Sequence, residues 1–165
     1  MVVLGIDPGI GRMGWGAIIV QSSKCKVQSC GCIETAAKLR TEERLLQIYQ
    51  DLTKIIKEYQ PDVLAIEELF FGANAKTALV VGQARGVALL VAGQNKLPIA
   101  VYTPLQVKVA LTGYGRAEKN QIGQMVKVLL KLSSIPKPDD TADALAVALT
   151  HAFSRKYGVL TSKKR

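Results

Sequence analysis

Four acidic residues stand at positions where carboxylates could work together. Asp7 and Glu67 each close a short apolar run, and Asp140 and Asp143 lie three residues apart at the start of a C-terminal helical pattern. Carboxylate oxygens are the usual ligands of hard divalent cations, and cations so held can activate water and stabilise charge at a phosphodiester. The rest of the chain complements such a site. Its 165 residues carry a net charge of +9, which attracts polyanions. A basic surface would bind a nucleic-acid backbone and an acidic pocket would cut it.

Each acid also has an ordinary explanation. Asp7-Pro8-Gly9 is a good turn sequence, and Asp139 or Asp140 could cap a helix and favour the positive end of its dipole. Capping accounts for Asp139 better than for Asp143, which lies about a turn further in. At about 100° per residue, Asp140 and Asp143 fall roughly 60° apart on one helical face and can share a site. Glu67 follows the buried run Val63-Leu64-Ala65-Ile66, so its carboxylate must emerge into a pocket or suffer desolvation. Its neighbour Glu68 competes with it, because side chains alternate across a strand and only one of the two can point with Asp7.

The elements that must position these acids are readable from period and punctuation. Val2–Asp7, Gly14–Val20 and Cys25–Glu34 read as three sequential antiparallel strands. Thr41–Tyr59 repeats Leu45, Ile48, Leu52, Ile55 and Ile56 at helical spacing, with Thr41 or a neighbour as its cap. Pro61 ends that pattern, a strand follows at Val63–Ile66, and Phe70-Phe71-Gly72-Ala73 reads as a loop. A long helix is expected from about Asn74 to Asn95, a strand at Ile99–Tyr102, and helices from near Thr103-Pro104, Ala117 and Asp139. Three strands followed by alternating helix and strand predict an α/β fold of the ribonuclease H-like order: a mixed five-stranded sheet flanked by helices. One domain over residues 1–158 is expected, followed by a basic, flexible tail at 159–165.

Basic residues dominate the stretch after the long helix, where Lys96, Lys108, Arg116, Lys119, Lys127, Lys131 and Lys137 surround Glu118. This is a candidate phosphate-binding surface, although some of these are the solvated faces of helices. Lys119 stands near a helix start, where a cation opposes the dipole. Phe70 and Phe71 could stack on bases or wedge between them. The only histidine, His151, returns to nearly the face of Asp140, but about 16 Å further along the helix, too far to share a metal.

Cys25, Cys30 and Cys32 are odd in number and have no second Cys or His pair nearby, which argues against both a disulfide framework and zinc. The most apolar long stretch, Ala75–Gly93, carries Lys76, Gln83 and Arg85 and reads as a buried helix of a soluble protein rather than a membrane span. No secretory leader is apparent at the N-terminus, so a cytoplasmic location is expected.

Taken together, Gly5-Ile6-Asp7-Pro8-Gly9, Gly14-Trp15-Gly16, Ala65-Ile66-Glu67, Gly82-Gln83-Ala84-Arg85-Gly86 and Asp140-Thr141-Ala142-Asp143-Ala144-Leu145-Ala146 make the chain resemble the RuvC family of bacterial Holliday-junction resolvases, end to end. That resemblance implies a homodimer that binds a four-way DNA junction and nicks two strands of like polarity symmetrically, leaving ligatable 5′-phosphate and 3′-hydroxyl ends. It implies two Mg²⁺ ions per site, with Mn²⁺ as an alternative, and Asp7, Glu67, Asp140 and Asp143 as catalytic metal ligands. Lys108 and Lys119 match family lysines near the cut, and Phe70 matches the family's aromatic at the junction. Arg85 and Arg116 are further candidate DNA contacts, and the RuvA and RuvB branch-migration proteins are the expected partners. Met13 and Trp15 depart from the Thr and Tyr usual in the family.

Other readings fit less well. An actin-like or sugar-kinase-type ATPase would share the first strand and its turn but needs two lobes. A related nuclease family that processes ribosomal RNA precursors would lack the Gln83-Ala84-Arg85-Gly86 segment and the long terminal helix. A junction-binding protein with vestigial acids would not need four carboxylates in this order. The small residues Ala78, Gly82, Gly86 and Gly93 suit the long helix either to a dimer contact or to packing on its own sheet.

Overall fold

The computed structural model describes residues 1–22, 24–68 and 75–156. Strands β1 (Val2–Asp7), β2 (Arg12–Gln21) and β3 (Lys24–Glu34) form an antiparallel meander. Helix α1 (Thr41–Tyr59) crosses to β4 (Val63–Glu67), which lies parallel to β1, and α2 (Ala75–Gln94) crosses to β5 (Ile99–Tyr102), parallel to β4. The sheet order is therefore β3-β2-β1-β4-β5. Three helices complete the described residues: α3 (Pro104–Thr112), α4 (Lys119–Leu129) and α5 (Asp139–Lys156).

Strand alternation divides the core in two. Leu4 and Ile6 of β1, with Leu64 and Ile66 of β4, face α1 and α2 and pack among Ile48, Leu52, Ala88 and Val91. Val3 of β1 and Val63 and Ala65 of β4 face the opposite layer, packing with Val107, Val126, Leu145 and Leu149 of α3, α4 and α5. Asp7 and Glu67 continue this second set at a spacing of two, so both point toward the α5 layer. Since β1 and β4 are parallel neighbours with Ile6 opposite Ile66, the two acids emerge side by side at the same end of the sheet.

Glycines bring α5 onto that layer. A methyl group on Gly14 would collide with the backbone carbonyl of Asp140, and one on Gly5 with the carbonyl of Ala144. These strand positions therefore allow the helix backbone itself to rest on the sheet, and Ala144, Leu145, Ala146, Ala148 and Leu149 are fully buried behind the contact.

The expected elements are present in the expected order, with differences at their ends. Helix α1 is capped by Arg40, the neighbour of Thr41: its backbone N–H donates to Glu43 Oε2 at 2.8 Å, a reach-back that closes the first turn. Helix α4 begins at Lys119, two residues after Ala117, because Glu118 adopts the extended N-cap conformation and its N–H donates to Gln121 Oε1 at 2.7 Å. Strand β2 begins at Arg12, two residues before the expected Gly14. Among the described residues, no helix is long and apolar enough to cross a membrane. The expected tail at 159–165 lies outside the described residues.

Candidate active site

The strand ends and the first two turns of α5 place Asp7, Glu67, Asp140 and Asp143 in one electrostatic unit. Burial, and then the charges of Asp143, Glu67 and Asp140, push the Asp7 carboxyl up to about 8. Glu67 is raised to about 7, first by burial and then by Asp143. Carboxylates crowded in this way resist ionisation unless a cation joins them.

Two side-chain cations flank the group. Lys119 Nζ lies 2.9 Å from Asp143 Oδ2 and 3.8 Å from Asp139. The two partners of the closer pair respond unequally. The hydrogen bond that Lys119 donates to Asp143 raises the ammonium's pKa, yet Asp143 itself is also raised, because burial outweighs the neighbouring charge. On the other side, Arg12 Nε lies 3.3 Å from Asp140 Oδ2. That contact is an ion pair without hydrogen-bond alignment, and Asp140 Oδ2 is a buried acceptor with no hydrogen-bond donor.

These observations test whether the residues fit the divalent ions that the resemblance implies. An all-oxygen donor set, two carboxyls raised by burial and then by neighbouring charge, and a buried acceptor without a donor all suit a hard cation. Among the described residues, no three acidic, Cys or His side chains form a ready-made ligand cluster. Asp143 is paired with Lys119 and Asp140 with Arg12.

Glu67, rather than Glu68, belongs to this group. Glu67 lines a hollow with Lys108, Lys119 and Asp143, whereas Glu68 is exposed beyond the strand end, its N–H donating to the Tyr102 carbonyl at 2.8 Å. Asp139 is exposed as the first residue of α5. Lys108, on α3, and Lys119, at the start of α4, meet at the hollow although 11 residues separate them in the chain. Arg116 is exposed in the connection just before α4. Arg85, expected on the DNA-contacting surface, donates from Nε to the backbone carbonyl of Glu67 at 3.3 Å and so braces the end of β4. Phe70 and Phe71 lie outside the described residues.

His151 is buried away from the site, with Nδ1 2.8 Å from the Tyr102 hydroxyl. Cys25, Cys30 and Cys32 are in no disulfide, and each is half-buried. Burial, and then the charge of Asp140, raises Cys32 to about 11.

Sequence reasoning passes over Arg12, yet it follows the Asp7 turn and shares strand parity with Gly14 and Gly16, the residues that face α5. Parity was the available signal. Thr35 and Arg44 were also overlooked. The Thr35 hydroxyl donates to the Ile10 carbonyl, Arg44 Nε donates to Thr35 Oγ1 at 2.8 Å, and Thr35 N–H donates to the Gly11 carbonyl at 3.0 Å. Together they strap the turn that carries Asp7.

The fold and the acidic group define a ribonuclease H-like protein with a carboxylate cluster at the end of its central strands. The family model for crossover junction endodeoxyribonuclease RuvC matches residues 3–151. Relatives bearing that name include one from Alkaliphilus metalliredigens, 54% identical over 99% of this chain and 100% of its own, and one from Caldicellulosiruptor saccharolyticus, 59% identical over 93% of each. The structure of Thermus thermophilus RuvC in complex with a Holliday junction substrate superposes with a TM-score of 0.91, at 38% identity over 96% of both chains. The yeast mitochondrial Holliday junction resolvase Ydc2 shares the fold, with a TM-score of 0.67 at 17% identity over 93% of this chain and 80% of its own. The chain belongs to the RuvC family of crossover junction endodeoxyribonucleases, the Holliday-junction resolvases.

Proposed function

We propose that this protein resolves four-way DNA junctions by paired, symmetric nicks in two strands of like polarity, using two Mg²⁺ ions, or Mn²⁺, held by Asp7, Glu67, Asp140 and Asp143. The observation that carries the reading is the emergence of Asp7 and Glu67 side by side from parallel strands, directly under the first turn of α5. When bound, the two ions supply an activated water for in-line attack and stabilise the departing 3′ oxygen. The protein's own groups do the remaining work. Asp7 and Glu67 hold oxygens at fixed strand ends, while Asp140 and Asp143 reach in from a helix that glycines seat on the sheet. Lys108 and Lys119, beside Glu67 and Asp143, draw the phosphate into the hollow, and Arg116 extends the basic surface along the backbone. Phe70, next to the site in sequence, would engage bases at the branch point.

Paired cutting calls for two sites in one particle, and α2 offers a surface for a second copy. Its inner side packs Ala84, Ala88, Val91 and Ala92 into the core, while Leu79 and Leu90 are 66% and 55% exposed on the outer side. Leu79, Gln83, Gly86, Leu90 and Gly93 recur at alternating steps of four and three, the spacing of a helix-pairing seam, and methyl groups on Gly86 or Gly93 would meet nothing within 4 Å. In the cell the homodimer would act in the cytoplasm, on the nucleoid, with RuvA and RuvB.

The test offers the full chain a mobile four-way junction, a plain duplex and a structured RNA, each with Mg²⁺ and with chelator. Paired nicks at symmetric positions on the junction alone, only with Mg²⁺, are expected. Equal cutting of duplex or RNA, or cutting in chelator, would overturn the reading.

A further inference from the structure

The acidic group lies between two cations, and only one has a role in the reading above. Lys119 belongs to the hollow that contains Glu67 and Asp143. Arg12 stands on the opposite side, against Asp140, and its side chain is 58% exposed while that of Asp140 is 23% exposed. Its pairing is loose: the contact lacks hydrogen-bond alignment and leaves the buried Asp140 oxygen without a donor. A guanidinium held this way can exchange partners at little cost.

Arg12 also has somewhere to go. A second groove is lined by the Gly9-Ile10-Gly11 turn, by Val80 and Val81 of α2, and by Arg12 and Asp140. The turn that floors this groove is held by Thr35 and Arg44 rather than by Arg12, so movement of Arg12 leaves the floor in place. Of the four acids only Asp140 lines this groove, whereas Lys108 and Lys119 line the hollow of Glu67 and Asp143. A DNA strand whose phosphate sits among the four carboxylates would extend into it, and the charge of Arg12 matches that strand's next phosphates.

Building on the junction-cutting reading, we infer that Arg12 is an exchange residue: it neutralises Asp140 in the free protein, yields Asp140 to the incoming divalent ion, and then binds a backbone phosphate of the cut strand in the groove beside Gly9–Gly11. Arg12 is thus a positioning residue for Asp140 and a phosphate contact for the substrate. Asp140 carries a cation at each stage, so its buried oxygen is never left as an isolated charge.

The exchange makes two predictions of opposite sign for Arg12→Met, which keeps much of the side-chain volume and removes the charge. Without DNA, Mn²⁺ titrated calorimetrically into the full-length protein should bind roughly two- to fivefold more tightly than in wild type, because a half-exposed competing cation is gone. With saturating Mg²⁺, the junction KM should rise and its log–log dependence on salt should flatten by about 0.9, one phosphate's worth, with kcat changed far less. Arg12→Lys should restore the salt slope. A residue that only supports the fold would weaken Mn²⁺ binding, lower Tm and spare the salt slope. Unchanged or weaker Mn²⁺ binding, or an unchanged slope, overturns the inference. Failure of wild-type protein to nick junctions at all would instead overturn the reading on which it rests.

Discussion

Lys119 Nζ, in the first residue of α4, lies 2.9 Å from Asp143 Oδ2, in the second turn of α5, so one ion pair ties the starts of two helices together over the candidate reaction centre. A cation at a helix N-terminus opposes the dipole. Here the unfavourable placement is offset by Asp143, and it puts a positive charge where a phosphate must approach. Lys119→Met should therefore lower kcat for junction cutting by about a hundredfold, the usual loss when one preorganised electrostatic contact to a reacting group is removed. Gel-shift affinity for the junction should fall by less than tenfold.

Asp7 links stability to pH and metal. Its folded carboxyl is raised from 3.8 to about 8, so without divalent cation the folded state holds a proton that the unfolded state releases. The sign follows: the contribution of Asp7 is fully present below about pH 4 and is lost as pH rises through about 8. A bound divalent ion favours the ionised form, so stabilisation by Mg²⁺ should grow over the same interval. Scanning calorimetry at pH 6 and pH 8.5 should show the larger Mg²⁺-induced rise in Tm at the higher pH. In chelator at pH 8.5, Asp7→Asn should melt about 2 to 8 °C above wild type, because it removes a crowded charge.

Much of this site was legible in the sequence because its members end or begin regular elements. Asp7 and Glu67 close apolar runs of strand character, and period-two alternation predicts that each points opposite to its preceding Ile. Asp140 and Asp143 share a helical face at any register. Local pattern could not choose between Glu67 and Glu68, which depended on where β4 stops, nor pair Lys119 with Asp143, which depended on how α4 packs against α5. Arg12 and Arg85 were hidden for the same reason: their partners, Asp140 and the Glu67 carbonyl, are 128 and 18 residues away in the chain. The cap of α1 was legible only to within a residue, because Arg40, the neighbour of Thr41, is an unusual cap residue that serves through Glu43 reaching back to its N–H.

Gly14 sets the distance between α5 and the sheet. Alanine there would press its methyl group against the Asp140 carbonyl and must move either the helix or the strand. Gly14→Ala should cost about 1 to 3 kcal/mol in urea unfolding, as overpacking does, and reduce cutting more than that loss of folded protein explains. Activity per folded molecule equal to wild type would show that the helix position is not critical.

The outer side of α2 bears on assembly. Leu90→Glu places a charge in the middle of the proposed seam without touching the core, since Leu90 is 55% exposed. Sedimentation should show a dimer for wild type and a monomer for the variant, with paired nicking replaced by single nicks. A variant that remains dimeric would move the interface elsewhere.

The claim that the four acids form one metal-dependent cutting site is tested most directly by Asp143→Asn, which keeps the side chain's shape and removes its charge. Junction binding and Mg²⁺-dependent cleavage should be measured on the same labelled four-way junction. Binding within a few fold of wild type is expected, with cleavage reduced at least about a hundredfold, the order of magnitude for loss of a catalytic contact. Cleavage by Asp143→Asn at the wild-type rate would contradict that claim.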